Sequence, residues 1–276
     1  MKVVVLSDNR TLNPELETEH GLSVYFETEN HKFLLDTGAS DLFLRNAQKL
    51  NVDLTAVDYI FISHGHSDHI GGLPYFLEIN SKAKIILSKE ILNSEYYSKR
   101  LGLHKISIDF DYKEYSDKFL FVEDNFKIDD STFIYKNKSE KFSRPLGNKT
   151  LYIKDENGEL IPDKFEHELI FVSGTNQLFV FSGCAHNGIL NILETVKANN
   201  IHQIRWVMGG FHLLDSKENT HYENQSELKK IGDFLNKNYP LADFITGHCT
   251  GDNSYNALKP MLEHRLINFF TGYKLQ

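Results

Sequence analysis

Near the start of the chain, apolar residues fall in short runs separated by polar turns. Residues 2–6, 23–28 and 32–36 are rich in β-branched and aromatic side chains, which favour strands. The polar residues 28–31 between the second and third run are typical of a hairpin turn. The chain therefore opens with a sheet.

The pattern then alternates between strands and helices. Residues 57–63 and 83–87 predict two further strands, and residues 41–50 predict a helix with a partial apolar stripe. Pro74 suits the first turn of a second helix, which runs to about Ile79. We interpret residues 89–99 as a third helix.

In the second half, a strand, a polar loop and a helix follow one another three times. Strands are predicted at 150–153, 169–172, 177–181, 204–208 and 244–246, with a tight hairpin at 174–176. The last three each end in a glycine-containing loop that carries a histidine. Apolar side chains from Ile189 to Val196 recur at helical spacing, and residues 226–237 predict another amphipathic helix.

Residues 100–148 have a looser pattern of short aromatic and charged runs. We interpret this segment as an insertion or lid of short strands and loops. Two interpretations stay open. The segment could set substrate choice, as loops on a rigid scaffold commonly do, or it could be a solvated surface segment, which would have the same sequence pattern.

Composition narrows the class of protein. The 276 residues are 41% hydrophobic and 25% charged, which is ordinary for a soluble globular protein with a substantial core. The net charge of −8 argues against a nucleic-acid partner, because binding a polyanion requires clustered Lys and Arg. No apolar run is long enough for a signal peptide or membrane helix, so no membrane partner is expected.

Only two cysteines occur, Cys184 and Cys249, so a disulfide framework is excluded and a reducing compartment fits. We predict a cytoplasmic protein that acts on a small-molecule substrate. The sequence leaves its oligomeric state open.

Three imidazoles and a carboxylate lie within six residues directly after the apolar run at 57–63: His64, His66, Asp68 and His69. Such density is costly unless the side chains bind something. Imidazole nitrogens and a carboxylate oxygen suit zinc, manganese or iron, and the missing thiolates argue against a closed structural zinc site. The stretch therefore predicts an open, catalytic metal site.

The H-x-H-x-D-H pattern, followed by Ile-Gly-Gly-Leu, resembles the metal-binding signature of the metallo-beta-lactamase superfamily. The resemblance implies that His64 and His66 bind one metal ion and that Asp68 and His69 bind a second. It implies two divalent cations, with zinc the first choice and manganese or iron the alternatives. It also implies that Asp36, in Asp-Thr-Gly, orients the ligands from beneath.

Later histidines would complete the two-metal site. The Gly-His pair at His248 matches the last histidine of the family signature, which implies a ligand of the second metal. His186 is the candidate for the remaining position. The chain departs from the family here, because it has no G-H-T motif and Gly183-Cys184 stands where Gly-Asp would be expected. Cys184 is therefore a further candidate ligand, with a small buried residue as the alternative.

His212, in Gly-Gly-Phe-His-Leu, follows another strand, and we interpret it as a contact to substrate or transition state. A buried structural histidine is the alternative. The three late motifs narrow the resemblance to one branch of the superfamily. That branch is the 7,8-dihydropterin-6-yl-methyl-4-(beta-D-ribofuranosyl)aminobenzene 5'-phosphate synthase-like, or dihydropteroate synthase-like, metallo-beta-lactamase-fold proteins.

The resemblance also implies the fold: α/β, a four-layer αββα sandwich in which two mixed sheets pack face to face with helices outside. We predict one domain over residues 1–276, with the insertion at about 100–148.

The predicted function is a dinuclear metal-dependent hydrolase of a small, phosphorylated or pterin-like substrate, acting through metal-bound hydroxide. Asp68 would orient that nucleophile, and His212 would stabilise developing charge. Two alternatives stay open. One is the synthase reaction, which forms a C–N bond and releases pyrophosphate. The other is a non-catalytic metal- or redox-sensing protein that uses its two cysteines.

Overall fold

The computed structural model describes residues 1–92, 94–217 and 220–275. They divide into two compact units. Unit 1 comprises Met1–Glu123, Leu151–His167 and Phe270–Gln276, and unit 2 comprises Asp124–Thr150 and Glu168–Phe269. Within the described ranges, every helix is too short or too polar to cross a membrane.

The strands of unit 1 are β1 Lys2–Ser7, β2 Ser23–Glu27, β3 Lys32–Leu35, β4 Tyr59–Phe61, β5 Lys84–Ser88, β6 Tyr96–Ser98, β7 His104–Lys105, β8 Phe119–Val122, β11 Leu151–Lys154, β12 Leu160–Pro162 and β18 Lys274–Leu275. Those of unit 2 are β9 Phe126–Lys127, β10 Thr132–Lys136, β13 Leu169–Ser173, β14 Gln177–Phe181, β15 Gln203–Met208, β16 Asp243–Thr246 and β17 Leu266–Asn268. The helices are α1 Leu42–Lys49, α2 Ser67–Ile70 and α3 Leu73–Ile79 in unit 1, and α4 Ile189–Asn199, α5 Gln225–Asn238 and α6 Asp252–Leu262 in unit 2.

The larger sheet of unit 1 has the order β18-β1-β2-β3-β4-β5-β8. Strands β1 to β3 pair antiparallel, as the predicted hairpin requires, whereas β3, β4, β5 and β8 run parallel. Apolar side chains such as Leu34, Ile60 and Phe43 are fully buried against one another. The parallel ends of β3 and β4 deliver Asp36 and the histidine motif to the same edge of the sheet.

The smaller sheet of unit 1, in the order β12-β11-β6-β7, corrects one prediction. Residues 89–99 are not a helix in the described part of that range. A single 3-10 turn covers Lys89–Ile91, and β6 follows it. Tyr96 and Tyr97 pair with Ile153 and Tyr152 of β11. Aromatic residues favour strands, and this long-range pairing outweighs the weak helical pattern.

The described strands of unit 2 form a sheet in the order β17-β16-β15-β14-β13-β10-β9. Strands β14 to β17 run parallel, and β14, β15 and β16 are each followed by a loop and a helix. The predicted threefold succession of strand, loop and helix is confirmed. Helix α5 begins with a capping box, in which Asn224 and Glu227 satisfy each other's backbone N–H groups.

Residues 100–148 supply strands to both units. The part up to Glu123 contributes β7 and β8 to unit 1, and the part from Asp124 contributes β9 and β10 to unit 2. The short strands predicted for this segment are confirmed. Its role as a lid, and the organisation of the chain as one domain, stay predictions.

Gly209 ends β15 with φ of +137°, and an added Cβ would lie 1.8 Å from the carbonyl oxygen of Ser182. We expect Gly209→Ala to lower the free energy of unfolding by about 4 kcal/mol, the sum of backbone strain and overpacking. Gly102→Ala is the matched control, because Gly102 has φ of +95° but open space around its Cα. In Gly102→Ala only the backbone strain should act, and it should lower the free energy of unfolding by about 2 kcal/mol. Equal losses in chemical denaturation would contradict the clash.

Candidate metal centre

In unit 1, the turn after β4 brings three histidine rings together. The ring centroids of His64 and His69 lie 4.1 Å apart, and those of His64 and His66 lie 4.6 Å apart. Helix α2 begins directly after His66 and turns the chain back, so that His69 returns to the same place. All three side chains are buried.

Hydrogen bonds set the tautomers of two of these rings. Asp36 Oδ2 lies 2.7 Å from Nδ1 of His69, so Nδ1–H donates to the carboxylate. The Ser63 hydroxyl donates to the same Oδ2 at 2.7 Å, and Ser63 Oγ therefore accepts from His64 Nδ1 at 2.9 Å. In both rings the Nε2 lone pair is left as the atom able to bind a metal, as carboxylate partners of ligating histidines commonly arrange.

His66 is held neutral. Burial lowers the pKa of His66 to about 3, with the neighbouring His167 adding to the effect and Asp68 and Asp163 opposing it. A neutral imidazole is the form that binds a cation.

Asp68 is the most accessible member of the motif. Its side chain is 20% exposed, and its Oδ2 lies 3.7 Å from His69 Nε2 and 3.4 Å from His20 Nε2. The side chain of His20 is 65% exposed and borders this carboxylate.

Sequence reasoning missed a buried pair that supports the motif from the side. His167 Nε2 lies 3.0 Å from Asp163 Oδ2, and His167 Nδ1 accepts the backbone N–H of Gly65 at 3.1 Å. Burial acts to raise the pKa of Asp163, but the attraction of His167 and their hydrogen bond lower it below its ordinary value. Tyr96 packs on His167, with ring centroids 4.3 Å apart. The signal available in the sequence was the spacing of this pair, an aspartate and a histidine four residues apart.

In unit 2, the loops after β14, β15 and β16 gather the late candidates. One donor atom each from Cys184, His186 and His212 lie within 4.8 Å of one another. The same holds for Cys184, His248 and Cys249. The three predicted strand-end motifs therefore meet at one edge of the sheet, as parallel strands require.

Hydrogen bonds fix the ring and the backbone of His186. Asn148 Oδ1 lies 3.0 Å from His186 Nδ1, and Asn148 Nδ2 donates to the backbone carbonyl of His186 at 2.7 Å. Nδ1 therefore carries the proton and Nε2 the lone pair. The buried carboxylate of Glu168 accepts the backbone N–H groups of His186 and Asn187, at 2.6 and 2.8 Å. Sequence reasoning missed Glu168 because it adjoins a strand without a motif.

Each of these three loops contains a non-glycine residue with positive φ: Ala185 at 55°, His212 at 50° and His248 at 52°. Asp36 in unit 1 has φ of 56°. Such backbone costs about 1–3 kcal/mol per residue and collects at functional sites.

The donor set fits divalent metal ions. His64, His69 and His186 all have Nδ1 on a protein acceptor, which leaves Nε2 to bind, and carboxylate and thiol groups lie beside them. The two thiols add a softer ligand than the sequence motif alone predicts. Burial alone would raise the pKa of the Cys249 thiol, but Cys184, His212 and His248 together hold it well below its ordinary range.

Comparison with known proteins decides the family. A sequence model of the metallo-beta-lactamase superfamily matches residues 17–155. The crystal structure of Tm1679, described as a metal-dependent hydrolase of the beta-lactamase superfamily, superposes with a TM-score of 0.82 at 32% identity, covering 100% of this chain and 98% of that chain. This chain belongs to the metallo-beta-lactamase superfamily.

Two relatives from Methanocaldococcus jannaschii match over most of this superfamily member. It is 27% identical over 272 residues to 7,8-dihydropterin-6-methyl-4-(beta-D-ribofuranosyl)-aminobenzene-5'-phosphate synthase, covering 93% of this chain and 90% of that protein. It is 29% identical over 284 residues to an uncharacterized protein, covering 98% and 97%. The predicted α/β metallo-beta-lactamase fold and the resemblance to the synthase branch are confirmed.

In this metallo-beta-lactamase-fold protein, Asp36→Asn would replace a carboxylate that only accepts hydrogen bonds with an amide that also donates. The amide would oppose the donors of Ser63 and His69, while Asn still tolerates the positive φ. We expect zinc affinity to fall about 10–100-fold, the usual effect of removing the hydrogen-bond partner of a ligating histidine.

The measurement is competitive titration of the metal-free protein against a chromophoric chelator. Asp130→Asn is the control, because the Asp130 side chain is 99% exposed and pairs only with Lys127 among the bonds described. Unchanged affinity in Asp36→Asn would contradict the orienting role.

Proposed function

We propose that this protein is a dinuclear metal-dependent hydrolase of a small, phosphorylated or pterin-like substrate. The observation that carries the proposal is the set of buried histidines whose Nδ1 atoms are committed to Ser63, Asp36 and Asn148. Such rings are preorganised to bind cations. The description of Tm1679 as a metal-dependent hydrolase supports the same reading. We propose a cytoplasmic location with it, from the low cysteine content.

Five of the proposed ligands match the family signature, and His186 fills the position at which the chain departs from it. His64, His66 and His186 would bind one metal ion, and Asp68, His69 and His248 the other. Zinc is the proposed metal, because imidazole and thiol donors suit it better than they suit magnesium or calcium. Cys184 is the further candidate ligand, and Asp36 would orient His69 from behind.

A pair of divalent ions in such a site supplies an activated water at neutral pH and neutralises charge on phosphoryl or acyl oxygens. The chain's own residues would do the rest. Asp68 is exposed enough to meet substrate, and its carboxylate would accept a proton from the attacking water and orient it. His212, 7% exposed, would donate a hydrogen bond to the oxygen on which charge develops.

A pocket within unit 2 supports the substrate class. It has a volume of about 510 Å³, within the range of small-molecule sites. Its wall combines aromatic and aliphatic side chains with two cations, including Phe142, Ile189, Phe211, Phe234, Arg144 and Lys230. The rings of Phe142 and Phe234 meet edge to face at 4.8 Å. An aromatic ring suits the apolar wall, and a phosphate suits the cations.

Two carboxylates, Glu223 and Glu227, also line this pocket, and their negative charge offsets that of the two cations. Glu223 accepts the backbone N–H of Leu146, and Glu227 accepts that of Asn224. Both carboxylates are therefore already engaged in hydrogen bonds. The pocket also adjoins the ligand loops, because Phe211 directly precedes His212.

The synthase reaction is a second candidate, favoured by the 27% identity to the named synthase over 93% of this chain. The two reactions differ in their products. Incubation with a dihydropterin pyrophosphate and an aminobenzene ribofuranosyl phosphate would give a coupled C–N product and pyrophosphate if the synthase reading holds. Hydrolysis would release phosphate without coupling.

His66→Ala and Asp68→Ala should each reduce metal-dependent hydrolysis of an aryl phosphate by at least about 10²-fold, the lower range for losing a positioned catalytic group. The measurement is turnover of p-nitrophenyl phosphate by zinc-loaded protein. His202→Ala is the control, because His202 is an exposed histidine outside both clusters. Full activity in either site variant would overturn the proposed role of the motif.

Phe234→Ala should raise KM for an aromatic phosphate about tenfold and leave kcat nearly unchanged, because it removes apolar contact that substrate and transition state share. Ile201→Ala is the matched control, since its side chain is 97% exposed on the same unit. Steady-state kinetics separates the two constants. Unchanged kcat and KM would place the pocket outside substrate binding, and a drop in kcat alone would contradict a contact that substrate and transition state share.

A further inference from the structure

The two cysteines of the chain lie together at the ends of β14 and β16, although 65 residues separate them. The Sγ atoms of Cys184 and Cys249 and a ring nitrogen of His248 lie within 4.8 Å of one another. Cys184 Sγ also lies within 4.8 Å of nitrogens of His186 and His212. Two sulfurs and three imidazoles are thus concentrated in one part of unit 2.

The surroundings hold the thiols in place. Cys184 is 3% exposed and Cys249 is 8% exposed, and both pack with the apolar side chains of Leu214 and Tyr222. At Gly210 an added Cβ would lie 2.3 Å from Cys249 Sγ, so the absence of a side chain makes room for this sulfur. The Cys249 thiol also points at the backbone carbonyl of Cys184, with Sγ 3.8 Å from that oxygen.

His212 adds an independent observation. Its side chain is more than nine-tenths buried, yet neither ring nitrogen makes a hydrogen bond of normal geometry to a residue that the structure describes. Buried imidazole nitrogens normally have a partner, because desolvation without one costs about 1–3 kcal/mol. A bound cation beside the thiols would provide that partner.

We propose that Cys184 and Cys249 bind a thiophilic divalent metal ion as thiolates, with one ring nitrogen of His212 as a neighbouring ligand and its other nitrogen keeping the N–H that donates to substrate. This inference rests on the proposed metal-dependent function and extends its ligand set to sulfur. Binding replaces each S–H bond by a metal–sulfur bond and releases one proton per thiol to solvent. No electron is transferred.

Sulfur ligation has a consequence for metal choice. Thiolates favour zinc and related soft ions, whereas carboxylate and water ligands suit magnesium and manganese. The protein should therefore retain zinc or cobalt against an excess of magnesium.

The test is reconstitution of the metal-free full-length protein with Co²⁺. A cobalt–thiolate bond gives a charge-transfer band in the near ultraviolet, which nitrogen and oxygen ligands do not. We expect the band in the wild-type protein, its reduction in Cys249→Ser and in Cys184→Ser, and its full retention in His202→Ala. The zinc affinity of each serine variant should fall by at least about 10–100-fold, which is the usual effect of removing a hydrogen-bond partner of a metal ligand.

X-ray absorption of the zinc-loaded wild-type protein provides a second measurement that needs no variant. A shell at about 2.3 Å indicates sulfur, and one at about 2.0–2.1 Å indicates nitrogen or oxygen alone. Absence of both the cobalt band and the sulfur shell would overturn the inference, even if a serine variant failed to fold. The two proposals fail separately: the sulfur signature without hydrolysis would refute only the hydrolase, and hydrolysis without the signature would refute only the thiolate ligands.

Discussion

The carboxylate of Asp36 is the contact on which the histidine motif of unit 1 depends. Within 2.7 Å it accepts the backbone N–H and the hydroxyl of Ser63 and the Nδ1–H of His69. Through Ser63 it also sets the tautomer of His64. A buried carboxylate that accepts three hydrogen bonds fixes each donor in direction. One side chain thereby fixes the orientation of the His64 and His69 rings, and with it the direction of their Nε2 lone pairs.

Unit 2 reaches a similar result by a different route. Asn148 and Glu168 fix His186 and its loop, and the backbone at Ala185, His212 and His248 adopts a left-handed conformation. Strain of this kind persists only where the surrounding structure holds it. The buried sheet of β14, β15 and β16 supplies that support, because apolar side chains of its strands form one buried cluster with those of α4, α5 and α6.

The sequence predicted what depends on local spacing. The strands, the three strand-loop-helix successions and the clustering of each set of histidines follow from patterns within a few residues. It failed where a distant partner decides the outcome. β6 exists because β11 pairs with it, and His167 matters because its ring accepts the backbone N–H of Gly65, 102 residues away in sequence. The proximity of Cys184 to Cys249 likewise follows from the parallel order of the strands.

The pairing of β1 with β18 has a consequence for how the protein is made. Val3 and Val4 lie opposite Leu275 and Lys274, so β1 is bordered on one side by residues that are synthesised long after it. The edge of β1 therefore stays open until β18 has been synthesised, and the larger sheet of unit 1 is complete only then. Exposed strand edges recruit other strands. Between the synthesis of β1 and its pairing with β18, the unpaired edge of β1 makes the chain prone to aggregation. A nascent chain depends on chaperones most at that stage.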